Sequence, residues 1–482
     1  MNKTISFLVL VSFLFFFSCQ NLFPTRSSQG NTKDRQVVIT PKHPNILLIN
    51  VDDLGWADTE AYGSTFYETP NINWLARKGM RFTQAYAAAS NCAPSRACML
   101  SGQQTPRHGI YTVANSTRGK AEDRKLIPTP NTTVLVDSFI TIAEVLKKVG
   151  YQTATFGKWH LGEDPMTQGF DVNVAGYHKG NPGKDGYFNP SKFINLEDSP
   201  KGAHLTDELT KKAIEFITEH QQQPFFAYLP FYAVHTPLQT KKELENKYKQ
   251  KGGNELQNHA IYAGMVETVD TNIGKLLHTL RQLDLLKNTL IIFTSDNGGI
   301  RAVSSQHPLR AGKGSYYEGG IRVPLIMVWD KQIAANTLCH TPVSQLDFFP
   351  TILELLAISS YNKPLDGISI VPLLKGETIP DRSLHWHFPI YLQAYRGAKD
   401  DARDTLFRTR PGSVIRYQNW KLHHYFEDNG LELYNLETDI SERENLMEQY
   451  PEKGKALLDR LSAWRTALNA PIPTQLNPTF IN

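Results

Sequence analysis

The chain has 482 residues, 40% hydrophobic and 20% charged, with 51 Lys+Arg against 47 Asp+Glu and a formal net charge of +4. Such a composition excludes a disordered or collagen-like chain, and so small an excess of positive charge excludes nucleic-acid binding by bulk electrostatics. Four cysteines exclude a disulfide-dense scaffold, and at roughly 150 residues per domain the length suggests three units, which large α/β enzymes merge into two unequal domains.

The N-terminus carries Lys3, a mostly apolar stretch from Ile5 to Phe17, and then Ser18-Cys19. A charged start, a short apolar segment and a small residue before the cut predict a signal peptide over 1–18. The stretch falls short of the ~20 residues a spanning helix needs. Phe16-Phe17-Ser18-Cys19 resembles a bacterial lipobox, which implies acylation of Cys19; plain cleavage after the segment is the alternative. Residues 19–43 are polar, charged and without periodicity, and are expected to be a flexible tether. The protein is thus expected to be exported, to the periplasm or the cell membrane, and held there only by the N-terminal lipid. With Cys19 so used, Cys92, Cys98 and Cys339 remain, so in an oxidising compartment at least one is unpaired or chemically altered.

Beyond the tether, Asn45–Val51 is an apolar run without alternation, as in a strand buried on both faces, and it stops at Asp52-Asp53. Thr141 and Glu144 make a capping box, Ile142, Leu146 and Val149 a helical stripe, and Gly150 a stop. Residues 151–156 read as a strand ending at Gly157-Lys158-Trp159-His160, 206–219 as a helix, and 225–231 as a strand leading to His235-Thr236-Pro237. A long amphipathic helix follows over 258–281. A second apolar run, Leu290–Thr294, stops at Ser295-Asp296-Asn297; 323–328 reads as a strand and 346–356 as a helix. This alternation predicts an α/β fold, a large mostly parallel sheet sandwiched by helices, with polar clusters at the carboxyl ends of the strands, where ligands bind. The expected catalytic domain covers 44–379. From about 380 short aromatic-rich segments and a final helix over 452–468 predict a smaller antiparallel α+β subdomain, 380–482.

Asp52, Asp53, Asp296 and Asn297 are the first chemical signal. Adjacent carboxylates at one strand end repel each other unless a cation lies between them. Three Asp and one Asn form an all-oxygen set suited to Ca²⁺, with Mg²⁺ as the alternative ion, and unsuited to zinc. Taken alone, an Asp-Asp pair is more often a turn or a cap. Cys92 lies in Asn91-Cys92-Ala93-Pro94-Ser95-Arg96, taken as a loop position. Beside Arg96 a lone cysteine reads as an activated thiolate or half of a disulfide.

Cys-x-Pro-Ser-Arg resembles the maturation signal of the type I, formylglycine-dependent sulfatases. Three further segments share the resemblance: Gly157-Lys158-Trp159-His160-Leu161-Gly162, His235 before Thr236-Pro237, and Leu309–Pro324 around Lys313. With the tail at Leu433–Leu436 and Glu444–Leu446, it runs from about 44 to 468. It implies an alkaline phosphatase-like fold and hydrolysis of sulfate monoesters on a sulfated oligosaccharide or polysaccharide. Cys92 would be oxidised to formylglycine by a formylglycine-generating or sulfatase-maturing enzyme. Its hydrate would join Asp52, Asp53, Asp296 and Asn297 on the metal and attack sulfur, with help from Asp296 and held by Arg96. Lys158 and Lys313 would bind the sulfate, His235 with Lys313 would protonate the leaving oxygen, and His160 would deprotonate the remaining hydroxyl to expel sulfate. The alternatives are a phosphomonoester or phosphodiester hydrolase of the same superfamily and an inactive lipoprotein that binds sulfated glycans. For the sugar, His385-Trp386-His387, His178 and Arg301 are candidates; the 385–387 segment reads equally well as packing.

Overall fold

A computed structural model describes residues 43–395 and 397–481 of the chain; the signal segment, Cys19 and the tether up to 42 lie outside these residues. The core is a nine-stranded sheet. Its strands are β1 (Asn45–Val51), β2 (Met80–Tyr86), β3 (Gln152–Phe156), β4 (Val172–Val174), β5 (Phe225–Pro230), β6 (Thr289–Ser295), β7 (Arg322–Val328), β8 (Thr337–Cys339) and β9 (Val343–Ser344). They run in the order β4-β3-β5-β1-β6-β7-β2-β8, with β9 also on β2.

The lack of alternation in β1 has a direct cause. Leu47, Ile49 and Val51 enter one core, with the helices Pro70–Lys78, Leu205–Glu219 and Ala260–Gln282. Ile46 and Leu48 enter the other, with the helices Cys92–Ser101, Ile142–Lys148 and Phe348–Leu355. Both faces are therefore covered, as a mostly parallel sheet requires. The capping box forms as expected, Thr141 accepting from Glu144 N and Glu144 from Thr141 N.

Register puts the strand ends together. Asn50 pairs with both Pro230 and Thr294, and Val51 with Ser295. The segments after β1, β5 and β6 leave from one edge, and the segment after β3 joins them through Lys158 N, which donates to Pro230 O at 2.7 Å. Strand β7 runs antiparallel to both β6 and β2, so its entry lies at this same edge and delivers the loop around Lys313 there. A parallel β7 would send that loop to the opposite end of the sheet.

Toward the C-terminus, β10 (Ser383–Phe388), β11 (Leu392–Gln393), β12 (Phe407–Thr409), β13 (Gly412–Tyr417), β14 (Trp420–Tyr425) and β15 (Leu431–Asn435) follow. Strands β10, β13, β14 and β15 form an antiparallel sheet in that order, and β11 pairs with β12. Leu457 and Leu461 of the helix Pro451–Ala467 pack on Ile415, Leu422 and Leu433 of this sheet. No helix among the described residues is long and apolar enough to cross a membrane.

Candidate active site

Every residue singled out in the catalytic and metal sets lies at the strand edge where β1, β3, β5 and β6 end. Asp52 and Asp53 leave β1, and Asp53 takes a left-handed backbone, φ 61°, that turns its carboxylate toward Asn297. Cys92 opens the helix Cys92–Ser101 and is not in a loop; Asn91 occupies the position before the first turn. All ten residues of this helix are buried, because it is wedged between the sheet and the helix Phe348–Leu355.

The side chains converge on Cys92. Its Sγ lies 3.4 Å from Asp52 Oδ1 and 3.8 Å from Asp53 Oδ1, and Lys313 Nζ donates to it at 3.1 Å. Lys158 Nζ donates to Asp52 at 2.7 Å and Lys313 Nζ to Asp53 Oδ2 at 2.8 Å. Arg96 grips Asp296 through Nε and Nη2, at 2.9 and 2.8 Å, and its Nη1 donates to Lys158 O at 2.9 Å. One guanidinium thus ties the end of β6 to the loop after β3. His235 Nε2 lies 3.7 Å from Asp53 Oδ2, and its Nδ1 is 2.7 Å from Thr236 O. A carbonyl only accepts, so Nδ1 carries the hydrogen of the neutral ring and Nε2 presents its lone pair to the site.

Two observations bear on whether a cation fits. Single ligand atoms from Asp52, Asp53, Cys92 and Asp296 lie within 4.8 Å of one another. Asn297 donates Nδ2 to Asp53 Oδ1 at 2.8 Å and to Gly298 O at 2.9 Å. Its Oδ1 is then a buried acceptor with no partner among the described residues. A clustered oxygen set with one orphaned amide oxygen fits a hard divalent cation. Electrostatics agree: burial, together with Asp296 and Asp53, pushes Asp52 up to about 8 although Lys158 opposes the shift. A divalent cation would relieve this strain and hold the three carboxylates ionised.

The other groups show the same field. Burial, with Asp52 beside it, pushes the Cys92 thiol up to about 12. Burial would raise Asp53, but Lys313, His235 and Lys158 hold it below the usual carboxylate range. Burial and Lys313 bring His235 down to about 3, and burial with Lys158, Arg96 and Lys313 depresses His160. His160 Nδ1 is buried without a partner among the described residues, and the ring rests so closely on Gly180 that a Cβ there would lie 2.2 Å from it.

Above these groups opens a cleft of about 360 Å³, floored by Cys92, His160, His235 and Lys313. His178 lines it, paired with Glu163 at 2.7 Å. Arg301 is instead paired with Asp401 at 3.3 Å. The segment 385–387 belongs to packing: His385 stacks on Trp464 at 4.7 Å, Trp386 donates to Ala87 O, and His387 bonds Ser413 and Pro471 O. Cys92, Cys98 and Cys339 are all free and buried; the odd count required only that at least one be unpaired. Sequence reasoning did not single out Arg118, Lys179, Tyr395 and Arg408, which also line the cleft. They come from segments far apart in the chain and from no shared motif.

Comparison with known proteins agrees with this geometry. A family model described as Sulfatase matches residues 44–358, and one described as N-sulphoglucosamine sulphohydrolase, C-terminal, matches 312–466. A sulfatase of Formosa agariphila is 33% identical, covering 93% of this chain and 92% of that one. The N-acetylgalactosamine-6-sulfatase of Rattus norvegicus is 33% identical over 72% of this chain and 68% of its own. The crystal structure of Ps i-CgsB in complex with k-i-k-neocarrahexaose superposes with a TM-score of 0.71 at 29% identity, covering 91% of this chain and 95% of that one. A match over most of the chain and a relative aligned almost end to end lead to one conclusion: the chain belongs to the sulfatase family of sulfuric ester hydrolases.

Proposed function

We propose that the protein hydrolyses a sulfate monoester on a carbohydrate, with residue 92, matured to formylglycine, as the nucleophile and Ca²⁺ in the oxygen cluster. The observation that carries the reading is the convergence of Asp52, Asp53 and Lys313 on the Cys92 side chain at the cleft floor. Enzymes of this family generally depend on formylglycine and a divalent metal. A sulfated carbohydrate is supported by the names of the relatives, an N-acetylgalactosamine-6-sulfatase and a structure holding a neocarrahexaose.

Asp52, Asp53, Asp296 and the Asn297 amide oxygen would hold the cation together with residue 92. The hydrated aldehyde would supply a hydroxyl nucleophile and the metal a positive charge against the sulfate. The chain's own residues account for the rest. Lys158 and Lys313, buried and already facing carboxylates, meet the sulfate with fixed positive charge at no cost of reorganisation. Arg96 orients Asp296, which would help the attacking hydroxyl lose its proton.

His235 is held neutral by burial and Lys313. A sulfate seated between the lysines offsets their field and raises the proton affinity of Nε2. The ring, with Lys313, can then pass a proton to the departing sugar oxygen. His160, held neutral by burial and the nearby cations and unpartnered at Nδ1 among the described residues, is the base for the closing step that frees sulfate.

Cys92 reaches this state only with a maturing enzyme in the same cell. Export to the periplasm or membrane, with a lipid on Cys19, completes the reading. The test is turnover of an aryl sulfate against the matching aryl phosphate. A large preference for the sulfate, lost on chelation and restored by Ca²⁺, is expected; preferential phosphate cleavage would replace this function with a phosphatase.

A further inference from the structure

Arg408 is 5% exposed, yet no carboxylate pairs with it among the described residues. Its Nε donates to Gln393 O at 3.0 Å, its Nη1 to Lys313 O at 3.1 Å, and its guanidinium lies 3.4 Å over the ring of Tyr395. All of these partners are neutral. Arg118, half-buried, is likewise without a carboxylate among the described residues; its Nε donates to Gln393 Oε1 at 3.2 Å. Gln393 therefore holds two arginines, one on its side chain and one on its backbone. Both line the cleft that Cys92, His160, His235 and Lys313 floor. Burial, and after it the charge of Arg408, pulls Arg118 below the usual guanidinium range, so the two cations feel each other.

Buried charge in a folded protein is ordinarily paired, because desolvation is costly. Arginines outside the cleft such as Arg107, Arg403 and Arg410 follow that rule, pairing with Asp366, Asp428 and Glu427. Arg465 lacks a carboxylate too, but it stands alone, bonded to His424 and Ser462; Arg118 and Arg408 lack one as neighbours, on one cleft wall. A purely structural role would explain the bonds from Arg408 to main-chain carbonyls. It would not explain why a second guanidinium is held beside the first with no carboxylate paired to either among the described residues.

We propose that Arg118 and Arg408 form a second anion subsite, and that the preferred substrate carries another negative group, a sulfate ester or a uronate carboxylate, beside the sulfate that is removed. This rests on the sulfatase reading above and narrows its substrate class. Guanidinium pairs suit such groups because planar N–H donors bind two oxygens at once. The bond from Arg408 to Lys313 O fixes the subsite directly next to the sulfate-binding lysine.

The test is competition against aryl-sulfate turnover by three galacto-configured disaccharides. One carries a single sulfate, one two sulfates, and one a single sulfate with a uronate neighbour. For the wild type, the inhibition constant of at least one dianionic compound is expected to be about tenfold or more below that of the monosulfated one. Which compound it is identifies the second group. Arg118→Gln should collapse that ratio toward one, and Arg118→Lys should restore part of it. Aryl-sulfate turnover with equal inhibition by all three compounds, or a ratio unchanged in Arg118→Gln, would overturn the subsite and leave the sulfatase reading intact. Loss of aryl-sulfate turnover in the matured wild type would instead remove the reading on which the subsite rests.

Discussion

Two dense clusters of buried charge among the described residues are built on opposite plans. In the first, Asp52, Asp53 and Asp296 face Arg96, Lys158 and Lys313 at the end of the large sheet. In the second, Lys421 stands between Glu318 and Glu442, 3.0 Å from each. Glu318 also accepts from Tyr86 at 2.7 Å and pairs with Arg322 at 3.3 Å, while Glu442 accepts from Glu318 N at 2.6 Å and from His423. Every acidic oxygen in this second cluster is engaged. Lys421, Arg322 and Arg416 outweigh the burial that would raise Glu318 and bring it down to about 2. Among the described residues the first cluster leaves Asn297 Oδ1 and His160 Nδ1 without partners, and it carries Asp52 at about 8. A buried network that balances itself locks two parts of a fold together; one left unbalanced at the mouth of a cleft awaits a ligand.

The contrast can be tested from both sides. The largest effect expected is on activity at the first cluster: chelation should abolish aryl-sulfate turnover, and added Ca²⁺ should restore it. Retained turnover in metal-free protein would remove the cation from the account. Next, Lys313→Met should lower kcat/KM by roughly 10²–10³, the effect of losing one preorganised charge against a developing anion. Its unfolding midpoint should move far less than that of a variant in the second cluster.

There, Lys421→Met leaves two buried glutamates without their shared cation and should cost about 3–5 kcal/mol of stability. Denaturant unfolding measures this, and activity per folded molecule should stay near wild type. Glu318 adds a pH signature. Its folded pKa lies below the ordinary value, so its contribution is complete above about 4.5 and is lost as pH falls toward 2. Stability that rose on acidification through this window would contradict the pairing. The smallest effect belongs to His385→Ala, which removes the stack on Trp464 and should cost about 0.5–1.5 kcal/mol without changing the inhibition constants of sulfated saccharides.

Much of this was legible in the chain because its signals are local. Asn45–Val51 and Leu290–Thr294 read as doubly buried strands since both faces are covered, and the acids after them fell at the strand ends as expected. The capping box at Thr141 marked the start of its helix to the residue, while the helix ends at Lys148, just before Val149 of the expected stripe. What stayed hidden depends on long-range pairing. The run 322–328 looks the same whichever way it points, so nothing local shows that β7 is antiparallel or that this reversal brings Lys313 to the site. Cys92 reads as a loop residue because Pro94, which suits the first turn of a helix, also suits a turn. The ambiguity at 385–387 needed the partners Trp464, Ala87 and Ser413 to resolve it. Arg118 and Arg408 became a pair only when Gln393 was seen to hold both.

The central claim concerns one side chain. Trypsin cleavage after Arg81 and Arg96 releases residues 82–96, with Cys92 as the sole cysteine. In protein made beside a maturing enzyme, mass spectrometry of this peptide should show the aldehyde or its hydrate at position 92. Across preparations of differing maturation, specific activity should rise in proportion to that fraction and reach zero in Cys92→Ala. Full turnover by protein whose Cys92 is wholly unmodified thiol would contradict the account.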